Sequence, residues 1–383
     1  MPRVRSISAV AVAVLPALAL GPNPTAGPNV IGHAATRASV RTTISTHAWR
    51  VATQRHYGAP GNASGYSAVV TAGRRIWAFG GTNPGGQSSP VAEVWNGRSW
   101  WAPRMPAGLG NFLSDASATS PSDIWAVSGY GRYILHYDGK SWQVARRWRH
   151  GGVLSGVTAL GPRDVWVCGT SVAGVRRIGT WHFNGQSWSA VTGIAADLFR
   201  ASAVSPHDIW GIAAGRRSDA ILHYGELGWR RIDTGRALVG VRWHDILAES
   251  ATNVWLIGDA ASHLGTGKLV LAHWNGTRWT RFNTAIDAWA GQLAAAGPGQ
   301  VIGTATAAGL LAEGLIVDVT SQGHLTWSGI ASSLGSGVGD VAYAPWSHTL
   351  WATGGILTKL GGDAAVWVRT LHRLDARAHP DTH

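Results

Sequence analysis

Three aspartates and one arginine offer the clearest prospect of chemistry in this chain. Asp115, Arg200 and Asp245 stand at one offset before the tryptophan of a recurring [DN]-[IV]-W segment (Trp125, Trp210, Trp255), and Gln292 stands at that offset before Ile302. Ser67 and Gly156 hold the place in two further copies, and Asp340 is the nearest polar residue in the last. If the copies stack around an axis, these side chains converge on the mouth of one channel. Two carboxylates flanking a glycosidic bond could hydrolyse it. Carboxylates beside a guanidinium could instead hold a sugar, a cation or a peptide, or simply line a solvated channel and pair with one another. No catalytic motif accompanies them, so they remain channel-mouth candidates, and no metal or cofactor is expected.

A second set of residues could bind anions. Arg104, Arg146-Arg147-Trp148-Arg149-His150, Arg176-Arg177, Arg216-Arg217, Arg236 and Arg242-Trp243 fall in connections that should emerge on one face, with Trp101 and Trp289 interleaved. The opposite turns carry far less, chiefly Arg74-Arg75 and Arg163. Paired arginines suit phosphate, sulfate and carboxylate, and an exposed indole stacks on sugars or bases. The ligand-binding candidates are therefore Arg146, Arg147, Trp148, Arg149, Arg176, Arg177, Arg216, Arg217, Arg242 and Trp243. The competing reading is solubilising charge around partly buried loop tryptophans.

The elements that must position these residues repeat along the chain. The first motif occurs at Asp123-Ile124-Trp125, Asp164-Val165-Trp166, Asp208-Ile209-Trp210 and Asn253-Val254-Trp255, with weaker copies at Arg75-Ile76-Trp77, Gln300-Val301-Ile302 and Thr349-Leu350-Trp351. The second motif, aromatic-[DN]-G-x-x-W, occurs at Trp95–Trp100, Tyr137–Trp142, Phe183–Trp188 and Trp274–Trp279. Seven blade-sized copies predict an all-β, seven-bladed β-propeller with four antiparallel strands per blade. In the third copy the strands read Ser155–Leu160, Asp164–Gly169, Gly179–Phe183 and Ser187–Val191, with Asn184-Gly185 as a tight hairpin. Trp49 lies in a lone fourth strand at about 45–52, and the last copy lacks one. The N-terminal strand is thus predicted to complete the last blade and close the ring, removing an exposed edge.

Blade 1, from Ile76-Trp77-Ala78-Phe79-Gly80-Gly81 to Trp100, resembles a kelch repeat, and Trp351-Ala352-Thr353-Gly354-Gly355 repeats the double glycine. The other copies resemble tectonin-like and Asp-box-like bacterial propellers. The resemblance spans about residues 45–375 and implies the fold. It does not imply an activity, because such propellers host lectins, scaffolds, hydrolases and copper oxidases. A sialidase-like site would need three clustered arginines, and Arg200 is the one arginine in the ring. A galactose-oxidase-like copper site would need a Cys–Tyr link, and Cys168 has no evident tyrosine partner.

Symmetry also sorts the histidines. His136, His182, His223 and His273 precede the third-strand aromatic in four copies. Such places sit more than about 10 Å apart, while metal ligands lie within about 2 Å of their ion, so the histidines read as a structural rung. Cys168, the single cysteine, reads as a buried thiol beside Trp166.

The N-terminus has the form of a signal peptide, 1–35: Arg3 and Arg5, an apolar Ser8–Leu20, and small-residue cleavage sites after Ala19 and Ala35. A flexible linker at 36–44, the propeller at 45–375 and a tail at 376–383 complete the division. The formal charge is +12 and the only lysines are Lys140, Lys268 and Lys359. A basic exported bacterial protein, monomeric and without a transmembrane helix in its mature form, will meet polyanions. The leading expectation is a secreted or cell-surface, non-catalytic binding module for an anionic polysaccharide, a cell-wall polymer or a protein partner. The alternative is a glycosidase or lyase at the channel mouth. Specific nucleic-acid binding is not expected.

Overall fold

The structure, a computed structural model, describes residues 42–44, 49–83, 88–130, 132–149, 152–170, 178–194, 197–213, 215, 219–260, 267–297, 299–307, 312–320, 324–330 and 332–371. Among them every regular element is a β-strand. The strands form antiparallel four-stranded units in chain order. Leu113–Ser120, Asp123–Ser128, Tyr133–Tyr137 and Trp142–Arg147 make one such unit, each strand pairing with the next. The long strand Trp279–Ala295 serves two units: its first half pairs with Lys268–Trp274 and its second half with Gln300–Ala307. The segment Gln300-Val301-Ile302 therefore enters a strand although it lacks the anchoring tryptophan.

The first strand of each unit is the inner one, and these strands touch in sequence. Ala63–Ala72 meets Leu113–Ser120, which meets Val153–Gly161, then Leu198–Ser205, Val241–Ser250, Trp279–Ala295 and Ser336–Ala344. Ser336–Ala344 in turn meets Ala63–Ala72. Near the N-terminus, Arg50–Arg55 pairs antiparallel with Gly361–Thr370, a few residues later than the strand expected at about 45–52. Thr42–Ile44, within the expected linker, runs parallel to Leu325–Trp327. The proposed signal peptide and the tail lie outside the described residues.

The tryptophan motifs act between units. Trp125 of one unit packs on Phe183 and Trp188 of the next, at 5.9 and 6.0 Å between ring centroids. Trp77 does the same with Tyr137 and Trp142, Trp166 with Tyr224 and Trp229, and Trp210 with Trp274 and Trp279. Trp351, near the C-terminus, packs on Trp95 and Trp100 at 6.4 and 6.1 Å. Each aromatic pair adds about 0.5–1.5 kcal/mol beyond its area, so the two motifs together bind one unit to the next.

Close backbone approach explains the glycine three places after two of these anchors. A Cβ on Gly80 would lie 2.0 Å from the Gly65 carbonyl, and one on Gly354 would lie 1.9 Å from that of Gly337. The inner strand crosses there without room for a side chain.

The histidine rung is built as its spacing implies. Trp210 Nε1 donates to Asp208 Oδ1 at 3.0 Å, and His223 Nε2 donates to the same oxygen at 2.7 Å. Asp123 serves Trp125 and His136 in this way, and Asp164 serves Trp166 and His182. His136 stacks on Trp125 at 4.0 Å. Asp208→Ala orphans two donors at once, those of buried Trp210 and half-buried His223, so it should lower stability by about 1–3 kcal/mol. Urea denaturation checks this, and a shift within error would deny the rung its structural role.

Candidate functional site

The polar ring forms where the inner strands begin. Register shifts fall between Leu113 and Asp115, Leu154 and Gly156, Leu198 and Arg200, Trp243 and Asp245, and Val338 and Asp340. A bulge re-aims the side chain that follows it. Here the carboxylates reach the neighbouring unit. Val157 N donates to Asp115 Oδ2 at 2.8 Å, Leu293 N to Asp245 Oδ2 at 2.7 Å, and Val69 N to Asp340 Oδ2 at 2.7 Å. The last of these links the final unit to the first. Serines tie seams as well: Ser114 donates to the Leu154 carbonyl at 2.8 Å, beside the Asp115 bond, and Ser155 to that of Phe199 at 2.6 Å, at the next seam. Gln292 Nε2 donates to the Ser67 carbonyl at 3.3 Å.

Arg200 is the cation of this ring. Its guanidinium lies 2.9 Å from Asp115 Oδ2 and 3.9 Å from Asp245 Oδ1. Burial opposes its charge, but Asp115, Asp245 and Asp340 outweigh that and hold its pKa above the ordinary value. Burial raises all three carboxylates despite Arg200 and the backbone donors: Asp115 moves up, Asp245 reaches about 6, and Asp340 lies well above the usual range. Asp115, Asp245 and Asp340 are each under 9% exposed. The ring is thus an internal clasp, with the Oδ2 atoms of its carboxylates already committed to backbone N–H groups. Among the described residues no group of three or more His, Cys, Asp or Glu could hold a metal ion. Cys168 is buried, and burial pushes its thiol up to about 12, which leaves it unreactive.

The arginine candidates divide. Arg147, Arg149 and Arg242 are exposed, while Arg146 and Trp148 are half-buried. Arg176, Arg177, Arg216 and Arg217 lie outside the described residues. Trp243 departs from expectation: it is 2% exposed, packed in a core cluster with Trp210 and Trp279. It sits at the start of an inner strand, where alternation turns its ring inward, so it offers no surface for a ligand. Trp101 and Trp289 are both 39% exposed.

Around Arg146 the structure adds aromatic residues that the motifs did not single out. The Arg146 guanidinium lies 4.0 Å above the Trp181 ring and 5.0 Å from that of Trp148. Arg147 lies 5.8 Å over Tyr133, and Arg132 Nη1 donates to the Arg149 carbonyl at 2.8 Å. Burial lowers the Arg146 pKa, with no carboxylate contributing. A signal for Trp181 existed: the same place holds Leu135, Leu222 and Ala272 in other copies. Elsewhere on the surface, a shallow cleft of about 390 Å³ is lined by Trp166, His182, Thr192, Tyr224, Leu227 and Trp229, away from the polar ring.

No protein-family description and no curated protein matches the sequence. Solved structures do match in fold. YCF48 bound to D1 peptide shares 14% identity over 86% of this chain and 98% of its own, with a TM-score of 0.56. A catalytically inactive virginiamycin B lyase from Staphylococcus aureus, with quinupristin, shares 12% over 80% of this chain and 96% of its own, at 0.58. PorZ, a surface component of the type-IX secretion system of Porphyromonas gingivalis, shares 11% over 83% of this chain and 39% of its own, at 0.50. These are β-propeller proteins, and at such identities the likeness is one of fold alone.

Proposed function

We propose that this chain is an exported, non-catalytic binding module that holds a protein partner on one basic, aromatic face of a seven-bladed ring. Closure of the ring is supported by the contact of Ser336–Ala344 with Ala63–Ala72 and by Trp351 on Trp95 and Trp100. The kelch-like reading of the first and last blades draws on their crowded glycines, Gly80 and Gly354. Export draws on Arg3, Arg5 and the apolar Ser8–Leu20.

One observation carries the binding reading. The ring carboxylates are tied to Val157, Leu293 and Val69, whereas no salt bridge joins Arg146, Arg147 or Arg149 to any acid among the described residues. Carboxylates under 9% exposed and already hydrogen-bonded are out of a substrate's reach, and arginines that pair with no acid among the described residues invite an anionic partner. One fold neighbour, YCF48, is bound to a peptide, which favours a protein partner over an anionic polymer.

The test is retention of residues 36–383 on acidic protein, wall polymer and neutral glycan at low and high salt. Arg146, Arg147 and Arg149 replaced together by Ser should weaken retention about tenfold or more, on the scale of one charge-assisted hydrogen bond. Unchanged retention removes the basic face from the account. Sugar turnover by the native protein that Asp245→Asn abolishes would instead establish the channel-mouth enzyme.

A further inference from the structure

We infer that the outer edge strand Trp142–Arg147 takes up an extended acidic peptide as an added β-strand, clamped by Arg147 and Arg149 beside the Arg146–Trp148–Trp181 stack. The inference rests on the binding-module reading and names the partner's chemistry and seat.

Among the described residues Trp142–Arg147 ends its sheet and pairs on one side only, with Tyr133–Tyr137. An unpaired edge presents a row of N–H and C=O groups that match another peptide strand. A polysaccharide cannot match that row, so the edge selects a peptide. Other outer strands offer less. Trp100–Trp101, Trp188–Ala190 and Gly228–Arg231 are shorter, with two, three and four residues against six. Leu325–Ile330 is already covered by Thr42–Ile44 in parallel pairing, which shows that an extended segment can dock on such an edge in this fold. Arg50–Arg55 is as long, but its terminal arginine is bonded to Glu93 at 3.1 Å.

Charge completes the choice. Gln143, Val144, Arg147 and Arg149 are exposed along this edge. The guanidinium of Arg146 is fixed between two indoles, and its Nε is buried without a hydrogen-bond partner. The nearest hairpin carboxylate, Asp138, is occupied by N–H groups of Lys140 and Ser141 at 2.9 and 2.8 Å. The arginines disfavour pairing with a second copy of this chain, since like-charged edges would meet. An acidic strand meets no such barrier.

The probe is a short fluorescent peptide of alternating Glu and Thr, titrated against residues 36–383 by polarisation. Three comparisons decide the matter: the same peptide N-methylated along its backbone, the variants Arg147→Ser and Arg149→Ser, and Arg50→Ser as a control edge. Each arginine variant should weaken binding roughly tenfold, N-methylation should abolish it, and Arg50→Ser should leave it unchanged. Binding that survives N-methylation, or that is lost in Arg50→Ser and not in Arg147→Ser, overturns strand addition at this edge. An acidic polysaccharide serves as the second ligand. If it binds through Arg147 and Arg149 while the peptide does not, the peptide inference falls and the basic face stands. If neither binds, both fall.

Discussion

Replacing Arg200 by Met should cost about 3–5 kcal/mol at pH 7.5, the penalty for stripping one partner from a buried ion pair. Met preserves much of the volume, so the loss is electrostatic. Asp115, 2.9 Å away, and Asp245 would keep their backbone donors but lose the only cation among three buried carboxylates. The sign of the pH dependence follows from the direction of their shifts. A carboxylate whose folded pKa is raised holds extra protons in the folded state. Its contribution to stability is complete below the unfolded value near 4 and is lost as pH climbs through the folded value. For Asp245 that window closes at about 6. The native ring therefore loses about 2–3 kcal/mol between pH 4 and pH 7 from this group alone. Without Arg200 the carboxylates shift further upward, so the variant should recover much of its deficit at pH 5. Urea midpoints of both proteins at pH 5 and 7.5 provide the check. A deficit equal at the two pH values would mean that packing, not charge, is what Arg200 supplies.

A chain beginning at residue 58 should fail to fold as a soluble monomer. It would lack Arg50–Arg55, leaving Gly361–Thr370 as a long edge with Val366, Trp367 and Val368 buried along it in the intact protein. Exposed edges of that kind aggregate. The deletion would also strand acids. Asp363 would lose Gln54 at 2.7 Å and His56 at 2.8 Å, and Glu93 would lose Arg55 and the Tyr57 hydroxyl, both near 3 Å. Soluble yield and size-exclusion profile, compared with a chain beginning at residue 45, measure the outcome. A monomeric product with an unchanged melting temperature would refute the proposed closure of the ring.

Much of the architecture was legible because tryptophan spacing is a long-range signal that survives local variation. Trp125 and Trp188 mark successive units by their spacing, while their contact across the seam is seen only in the structure. The displaced strand near Trp49 could be read by counting motifs and finding one too many at the start. The candidate site was less legible for a geometric reason. Whether Asp115 faces a channel or a neighbour's amide depends on a single extra residue in the strand, and a one-residue bulge leaves no mark in composition. Trp243 and Trp148 look alike as Arg-Trp pairs, yet one opens an inner strand and is buried while the other leaves an outer strand and is half-exposed. Trp181 sits inside a strand, where an indole reads as core, and only the fold brings the Arg146 guanidinium over it across the seam.

The pairing of Arg50–Arg55 with residues near the far end of the chain also has a consequence in time. At synthesis rates of 5–20 residues per second, roughly 15–60 s pass between the emergence of the early strand and that of its partner. Through that interval the strand's native bonds to Gly361–Thr370 cannot form. Contacts so distant in sequence form late in any case. The sheet that holds Gly361–Thr370 therefore reaches its final form only after both of these distant segments have been made.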